Sequence, residues 1–308
     1  MFDALIYLKL GWRNLWLHPM RTGLTVAALA TGIAALTFLS AMNDGWMQQI
    51  RENFALTLIG HIQIHAQGFE QSRRLRDHIH SVDAVARLLN DTPGIQAWTA
   101  RIRVSGLASS AGASAGAQVY GVLPSRERSI SRLADFVTRG RWLRETDDRA
   151  VVLGSGLADR LQVGLGDKVV LMVALPDGDI ASEVFRVRGL LHSGVLDIDD
   201  LLAVAPLRRV RAWLGMPTAA TDLVLRVGDF GQVGKVASRL RQALARKRPG
   251  GQALEVLTWS EIDPMAEQWS QFADAYSWVI LGVVILVVLA EVVNTMLMSM
   301  HERIPEFG

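Results

Sequence analysis

The chain has 308 residues, half of them hydrophobic, with 32 Lys and Arg against 30 Asp and Glu and no Cys. A mean hydropathy of +0.23 with one residue in five charged is too apolar for a disordered chain. The missing thiols exclude disulfide scaffolds, thiolate zinc sites and thiol nucleophiles, and the balanced charge argues against a dedicated nucleic-acid binder.

Residues 1–20 predict a cytoplasmic interfacial amphipathic helix. Leu5, Leu8, Trp12, Leu15 and Trp16 recur at helical spacing, Lys9 and Arg13 lie four apart on another face, and Pro19 closes the element. Residues 21–43 predict transmembrane helix 1. Thr22 to Asn43 runs for 22 residues without a charge, a helix about 33 Å long against a hydrocarbon core of about 30 Å. Within it Gly23, Ala27, Ala28 and Gly32 form small-xxx-small pairs, the residue types that let a second helix approach closely. The run is longer than a secretory h-region and leads into Met42-Asn43-Asp44-Gly45-Trp46 rather than a small-x-small cleavage site, so it reads as a retained anchor.

Residues 44–276 form an outer segment of 233 residues, enough for a large core and for two lobes. Trp46, Ile50, Phe54 and Leu58 keep a helical spacing, as a stalk leaving the membrane would. Gly60-His61-Ile62-Gln63-Ile64-His65 alternates as a half-buried strand does, which puts His61 and His65 on its polar, solvated face. The pattern then predicts a helix over 82–89, strands over 100–107 and 117–123 joined by an Ala/Ser/Gly-rich loop at 108–116, and a helix over 129–137. A strand over 150–153, a helix over 156–161 and strands over 168–173, 183–191 and 202–206 follow. A helix over 207–214, a strand over 222–227, a helix over 233–245 and a strand over 254–258 complete the segment. Helices and short strands alternate without a long repeat, so the class is α+β or mixed α/β.

Residues 277–300 predict transmembrane helix 2. Trp278 to Met298 holds 13 Val, Ile or Leu, each contributing about −0.3 to −0.6 kcal/mol on the insertion scale, which outweighs the cost of about 3 kcal/mol for the central Glu291. Glu291 and Asn294, three apart on one helix face, are assigned to packing against a neighbouring helix. Lys9, Arg13 and Arg21 precede the first span, Arg51 alone lies in the 15 residues after it, and no Lys or Arg lies between Ile262 and Tyr276. The positive-inside pattern therefore puts the N-terminus and residues 301–308 in the cytoplasm and residues 44–276 outside. The architecture expected is two transmembrane α-helices flanking a large α+β extracytoplasmic domain.

Catalytic signatures are incomplete. Gly154-Ser155-Gly156-Leu157-Ala158-Asp159 has Asp where a dinucleotide turn needs a third small residue, and Gly234-Lys235-Val236 has Val where a phosphate loop needs Ser or Thr. His61, His65, His78 and His80 form the one His cluster, and no carboxylate spacing completes a metal site there. Asp197, Asp199 and Asp200 lack the Gly and terminal Glu of a calcium loop and read as a turn with solvated carboxylates. No catalytic or metal-binding residue is assigned.

Trp12-Arg13-Asn14-Leu15 and Arg21-Thr22-Gly23-Leu24-Thr25 resemble the opening of ABC-transporter permeases of the MacB/FtsX type, which include the lipoprotein-releasing permeases. The resemblance continues in Gly60 to His65, Gly121-Val122-Leu123-Pro124, Arg139-Gly140-Arg141-Trp142-Leu143, Gly166-Asp167-Lys168-Val169 and Thr258-Trp259-Ser260-Glu261. Its most specific piece is Asn294 to Gly308, which is similar to the family's exit from its second span. Members carry four spans, so the resemblance implies that the chain is truncated after the second. It further implies a bacterial inner-membrane permease that is itself no enzyme and holds no cofactor. ATP and Mg would sit on a separate ABC ATPase subunit, with a second permease subunit completing the dimer and a lipoprotein or lipophilic cargo handled in the periplasm. Glu302, Arg303, Glu306 and Gly308 would lead into the segment that docks on the ATPase. Two other readings stand beside it: a two-span receptor or scaffold with a periplasmic sensing domain, and a cell-division-type permease that regulates wall hydrolases.

Overall fold

The computed structural model describes residues 19–303. They fall into two compact units, residues 52–264 in one, and the residues up to 51 together with those from 265 in the other. The interfacial helix expected over 1–20 lies almost entirely outside the described residues.

Helix α1 (Pro19–Phe54) runs 36 residues and is continued by one π turn, Ala55–Ile59. The outer unit then alternates strands and short helices. Strand β1 (Ile62–Ala66) is followed by α2 (Phe69–Ser72), α3 (Val82–Asn90), β2 (Ile95–Ser109), β3 (Ser114–Val122), α4 (Pro124–Ile130) and β4 (Val137–Gly140). Next come β5 (Ala150–Gly154), α5 (Ser155–Leu161), β6 (Lys168–Ala174), β7 (Ile180–Leu191), α6 (Leu196–Leu201) and β8 (Leu202–Pro206). The unit closes with α7 (Leu207–Trp213), β9 (Asp222–Val227), α8 (Val233–Lys247), β10 (Leu254–Thr258) and α9 (Trp259–Ile262), after which α10 (Pro264–Arg303) runs 40 residues.

Among the described residues all ten strands belong to one sheet in the order β10-β1-β9-β2-β3-β8-β5-β7-β4, with β6 bridging β2 and β7. The outer segment, expected to hold two lobes, carries one continuous hydrogen-bonded sheet within one compact unit, residues 52–264. The connector is β2, whose 15 residues are long enough to pair with β9 at one end and with β3 and β6 at the other. Helix α3 turns Val82, Val85 and Leu89 inward, and α8 turns Val233, Val236, Ala237, Leu240 and Leu244 inward. Each such large apolar side chain contributes about 1.5–3 kcal/mol on full burial.

Several expectations need correction. The helix foreseen over 129–137 lies upstream, because Pro124 at the first helical position starts α4 early and the chain turns again into the short strand β4. The loop foreseen over 108–116 shrinks to a turn closed by Ser110 N donating to Ala113 O at 2.8 Å, with strand pairing reaching Ser109 and Ser114. His61, just before β1, and His65, within it, are both buried rather than solvated, and β1 is buried at every residue with β10 on one edge and β9 on the other. Asp199 is also buried, within α6, rather than part of a solvated turn.

Counted over the described residues alone, no helix is long and apolar enough to cross a membrane. Both apolar runs of the sequence also include residues whose side chains lie outside that description. In the second unit, Ile33, Phe38, Trp278, Val283, Leu286 and Val287 are exposed.

Candidate functional site

Within the outer unit the first and last strands lie side by side. Ile62, the first residue of β1, pairs with Thr258, the last of β10. Trp259 N donates to His61 O at 3.1 Å and continues that pairing past the strand ends.

Where α1 ends, its π turn leaves carbonyls without helical partners, and sheet side chains take them. The Arg101 guanidinium donates to Leu58 O at 2.5 Å, and Gln63 Nε2 donates to Ile59 O at 2.5 Å. Gly60 follows with φ +78°, a conformation L side chains rarely adopt, and a Cβ there would collide with Val224. The Leu58 side chain packs against the cluster of Tyr120, Val122, Leu133, Trp142 and Leu143.

Arg101 is 2% exposed and is among the largest fully buried side chains. Its Nε donates to Glu127 Oε2 at 3.0 Å and its Nη2 to Glu127 Oε1 at 2.5 Å, while Ser131 Oγ donates to the same Oε1. A buried charge is costly unless paired and hydrogen-bonded. Here each ion is held at more than one atom.

On the same sheet face His65 stands opposite Asp222, and Asp222 opposite Arg101. Asp222 Oδ1 lies 3.0 Å from His65 Nδ1, Thr221 Oγ1 donates to Asp222 Oδ2 at 2.6 Å, and Arg103 donates to both Glu70 and Asp222. Phe69 stacks on the His65 ring, and the Arg103 guanidinium lies over the Phe69 ring, 5.4 Å from its centroid. Burial alone would raise the Asp222 carboxyl, but Arg103, His65 and Thr221 outweigh it and hold it well below the usual carboxylate range. His61 is different. Val227 N donates to its Nδ1 at 3.1 Å and Phe230 meets its ring edge-on. Burial, helped by Arg226, lowers its pKa to about 4, so it is neutral and wedges the strand end.

These groups are engaged with one another rather than poised for chemistry. The carboxylates of Glu70, Asp222 and Glu127 are each gripped by an arginine. Among the described residues no group of three or more His, Asp or Glu is placed to hold a metal ion. Ser155, His192 and Asp199 do come together, yet Ser155 Oγ and Asp199 Oδ2 both approach the same nitrogen, His192 Nδ1, at 3.2 and 2.9 Å. A nucleophile relay needs the hydroxyl on one ring nitrogen and the carboxylate on the other. Asp199 instead accepts from Ser193 N and Gly194 N and braces the turn before α6. Gly154 and Gly156 are small for packing: a Cβ on either would strike Asp199 or Asp200 of α6.

Of the residues assigned from sequence, Gly23 has open space where a Cβ would stand, Ala27 is exposed and Gly32 is half-buried. Ala28, Glu291 and Asn294 lie in the long helices, as do Glu302 and Arg303, with side chains outside the described residues; Glu306 and Gly308 lie beyond them. Sequence reasoning missed Arg101, Arg103, Glu127 and Asp222. Arg101 and Arg103 alternate with Ile102 and Val104, which looks like a solvated strand face, and their partners lie 26 and 119 residues away.

A family model described as MacB-like periplasmic core domain matches residues 22–243. Over 97% of its length the chain is 24% identical to the lipoprotein-releasing system transmembrane protein LolC of Neisseria meningitidis, of which it covers 70%. It is 22% identical over 99% of its length to the macrolide export ATP-binding/permease protein MacB of Bdellovibrio bacteriovorus, and spans about half (48%) of that relative. The crystal structure of the periplasmic region of MacB from Actinobacillus actinomycetemcomitans matches 71% of this chain and 98% of its own, with 19% identity and a TM-score of 0.49.

Proposed function

Because the chain belongs to the MacB-like periplasmic core domain family, we propose that it is the permease subunit of an ATP-driven ABC complex that works on a lipophilic or periplasmic substrate from outside the inner membrane. The observation that carries this reading is the family match over residues 22–243, which runs from the first uncharged segment across most of the outer unit. Relatives named for lipoprotein release and macrolide export support a lipid-like cargo. Residues 21–43 and 277–300 are the two spans, and the apolar side chains exposed on α1 and α10 support a lipid environment for both. Residues 44–276 face the periplasm.

ATP and Mg belong to a separate ATPase subunit, which docks through Glu302, Arg303, Glu306 and Gly308, and a second permease subunit completes the complex. Gly23, Ala27, Ala28, Gly32, Glu291 and Asn294 serve helix packing within the membrane. Movement carried along the chain into the outer unit acts on its first and last strands, β1 and β10. These strands are neighbours in the sheet, so displacement of one is felt by the other.

The test is purification of the full-length gene product in mild detergent, with its stoichiometric partners identified by mass spectrometry. A phosphate-loop ATPase at equal copy number is expected. A self-associated oligomer without one overturns this reading in favour of a two-span receptor or scaffold.

A further inference from the structure

We propose that Arg101 is the latch that couples the end of the α1 stalk to the outer sheet. It is a positioning residue that transmits stalk movement rather than a group that touches cargo. The inference deepens the permease reading and rests on it.

Three observations converge on this side chain. Its guanidinium reaches the stalk at the Leu58 carbonyl, in the π turn, where the helix has run out of its own amide donors. A cation at that point also meets the negative end of the helix dipole. Its other nitrogens are gripped by both oxygens of Glu127, which comes from α4, and Ser131 steadies that carboxylate. Its backbone lies in β2, the strand that pairs with β9 at one end and with β3 and β6 at the other. One planar, five-donor group therefore ties the stalk end, a helix and the longest strand of the sheet together.

The surroundings remove slack. Gln63 takes the next carbonyl, the Leu58 side chain is set into the apolar cluster, and the buried Gly60 turns the chain in a conformation that few other residues accept. His61 N donates to Leu225 O at 2.9 Å and starts the β1–β9 pairing directly after the turn. Fold maintenance alone does not need this ion pair, since a buried pair can be replaced as a whole by well-packed uncharged residues of similar volume. What only Arg supplies is simultaneous purchase on the stalk carbonyl and on the helix carboxylate.

The test uses the full-length chain with its copurified ATPase in nanodiscs and follows hydrogen exchange with and without ATP and vanadate. Arg101→Met alone leaves Glu127 buried without its partner, so the informative variant is Arg101→Met with Glu127→Gln, which removes both charges together. In the native protein, residues 55–61 are expected to be protected and nucleotide is expected to change exchange in β1 and β10. In the double variant exchange over 55–61 should rise about tenfold, with β5 and β8 unchanged. ATP turnover should continue while the nucleotide response of β1 and β10 is lost. Arg101→Lys keeps the carbonyl contact without the two-oxygen grip and should restore part of that response. Unchanged protection over 55–61, or an intact nucleotide response in the double variant, overturns the latch. A native protein with no associated ATPase or no nucleotide response overturns the permease reading itself.

Discussion

At the scale of single residues, the root of the outer unit shows how burial changes what a histidine does. His61 lies between strand ends with Val227 N as its donor, and its pKa falls from 6.5 to about 4. The unfolded chain therefore binds a proton more readily than the native one between those values. Stability is complete above pH 6.5 and is lost as pH falls toward 4, by on the order of 3 kcal/mol. Asp222, held low by Arg103, contributes in a different window, losing its stabilisation only below the ordinary carboxylate range. Thermal unfolding of the full-length protein followed by tryptophan fluorescence should drop in midpoint from pH 6.5 to 4, and His61→Gln should flatten that slope. Parallel slopes in the two proteins would assign the loss to another group.

At the scale of elements, the exit from the sheet is held by a cap. Glu261, in the first turn of α9, accepts from Thr258 N at 2.8 Å and Thr258 Oγ1 at 2.9 Å, and Arg241 of α8 donates to it. Removing it in Glu261→Ala should destabilise this turn by about 1 kcal/mol and raise hydrogen exchange at Thr258 and Trp259 ahead of the rest of β10; equal rises along the strand would mean that the cap is not the anchor. Elements whose local chemistry agrees with their place were legible in the sequence: 202–206, 222–227 and 254–258 are strands at those bounds. Helix α4 was misplaced because apolar spacing over 129–137 outweighed the proline that starts the helix at 124. The candidate site was legible only in outline. Gly60 and the alternating 61–65 run mark the junction, but the burial of its histidines depends on β9 and β10, nearly 160 and 190 residues along the chain. The same distance hides the ion pairs, because a charge on one strand face declares itself buried only when its partner arrives.

At the scale of the whole molecule, the proposed topology has a direct check. The native chain has no cysteine, so a single introduced thiol is a unique target. Asp177→Cys, in the exposed turn between β6 and β7, should react with a membrane-impermeant maleimide in spheroplasts while Lys9→Cys stays protected until the cells are lysed. Equal labelling of both before lysis would contradict the orientation derived from the Lys and Arg flanks. The paired strand ends at Ile62 and Thr258 carry a consequence for engineering. Antiparallel partners stand about 5 Å apart, so the 195 residues between them form a segment whose two ends meet side by side. A replacement body joined at 62 and 258 would have to supply its own equivalents of the Gln63 and Arg101 contacts to the Ile59 and Leu58 carbonyls.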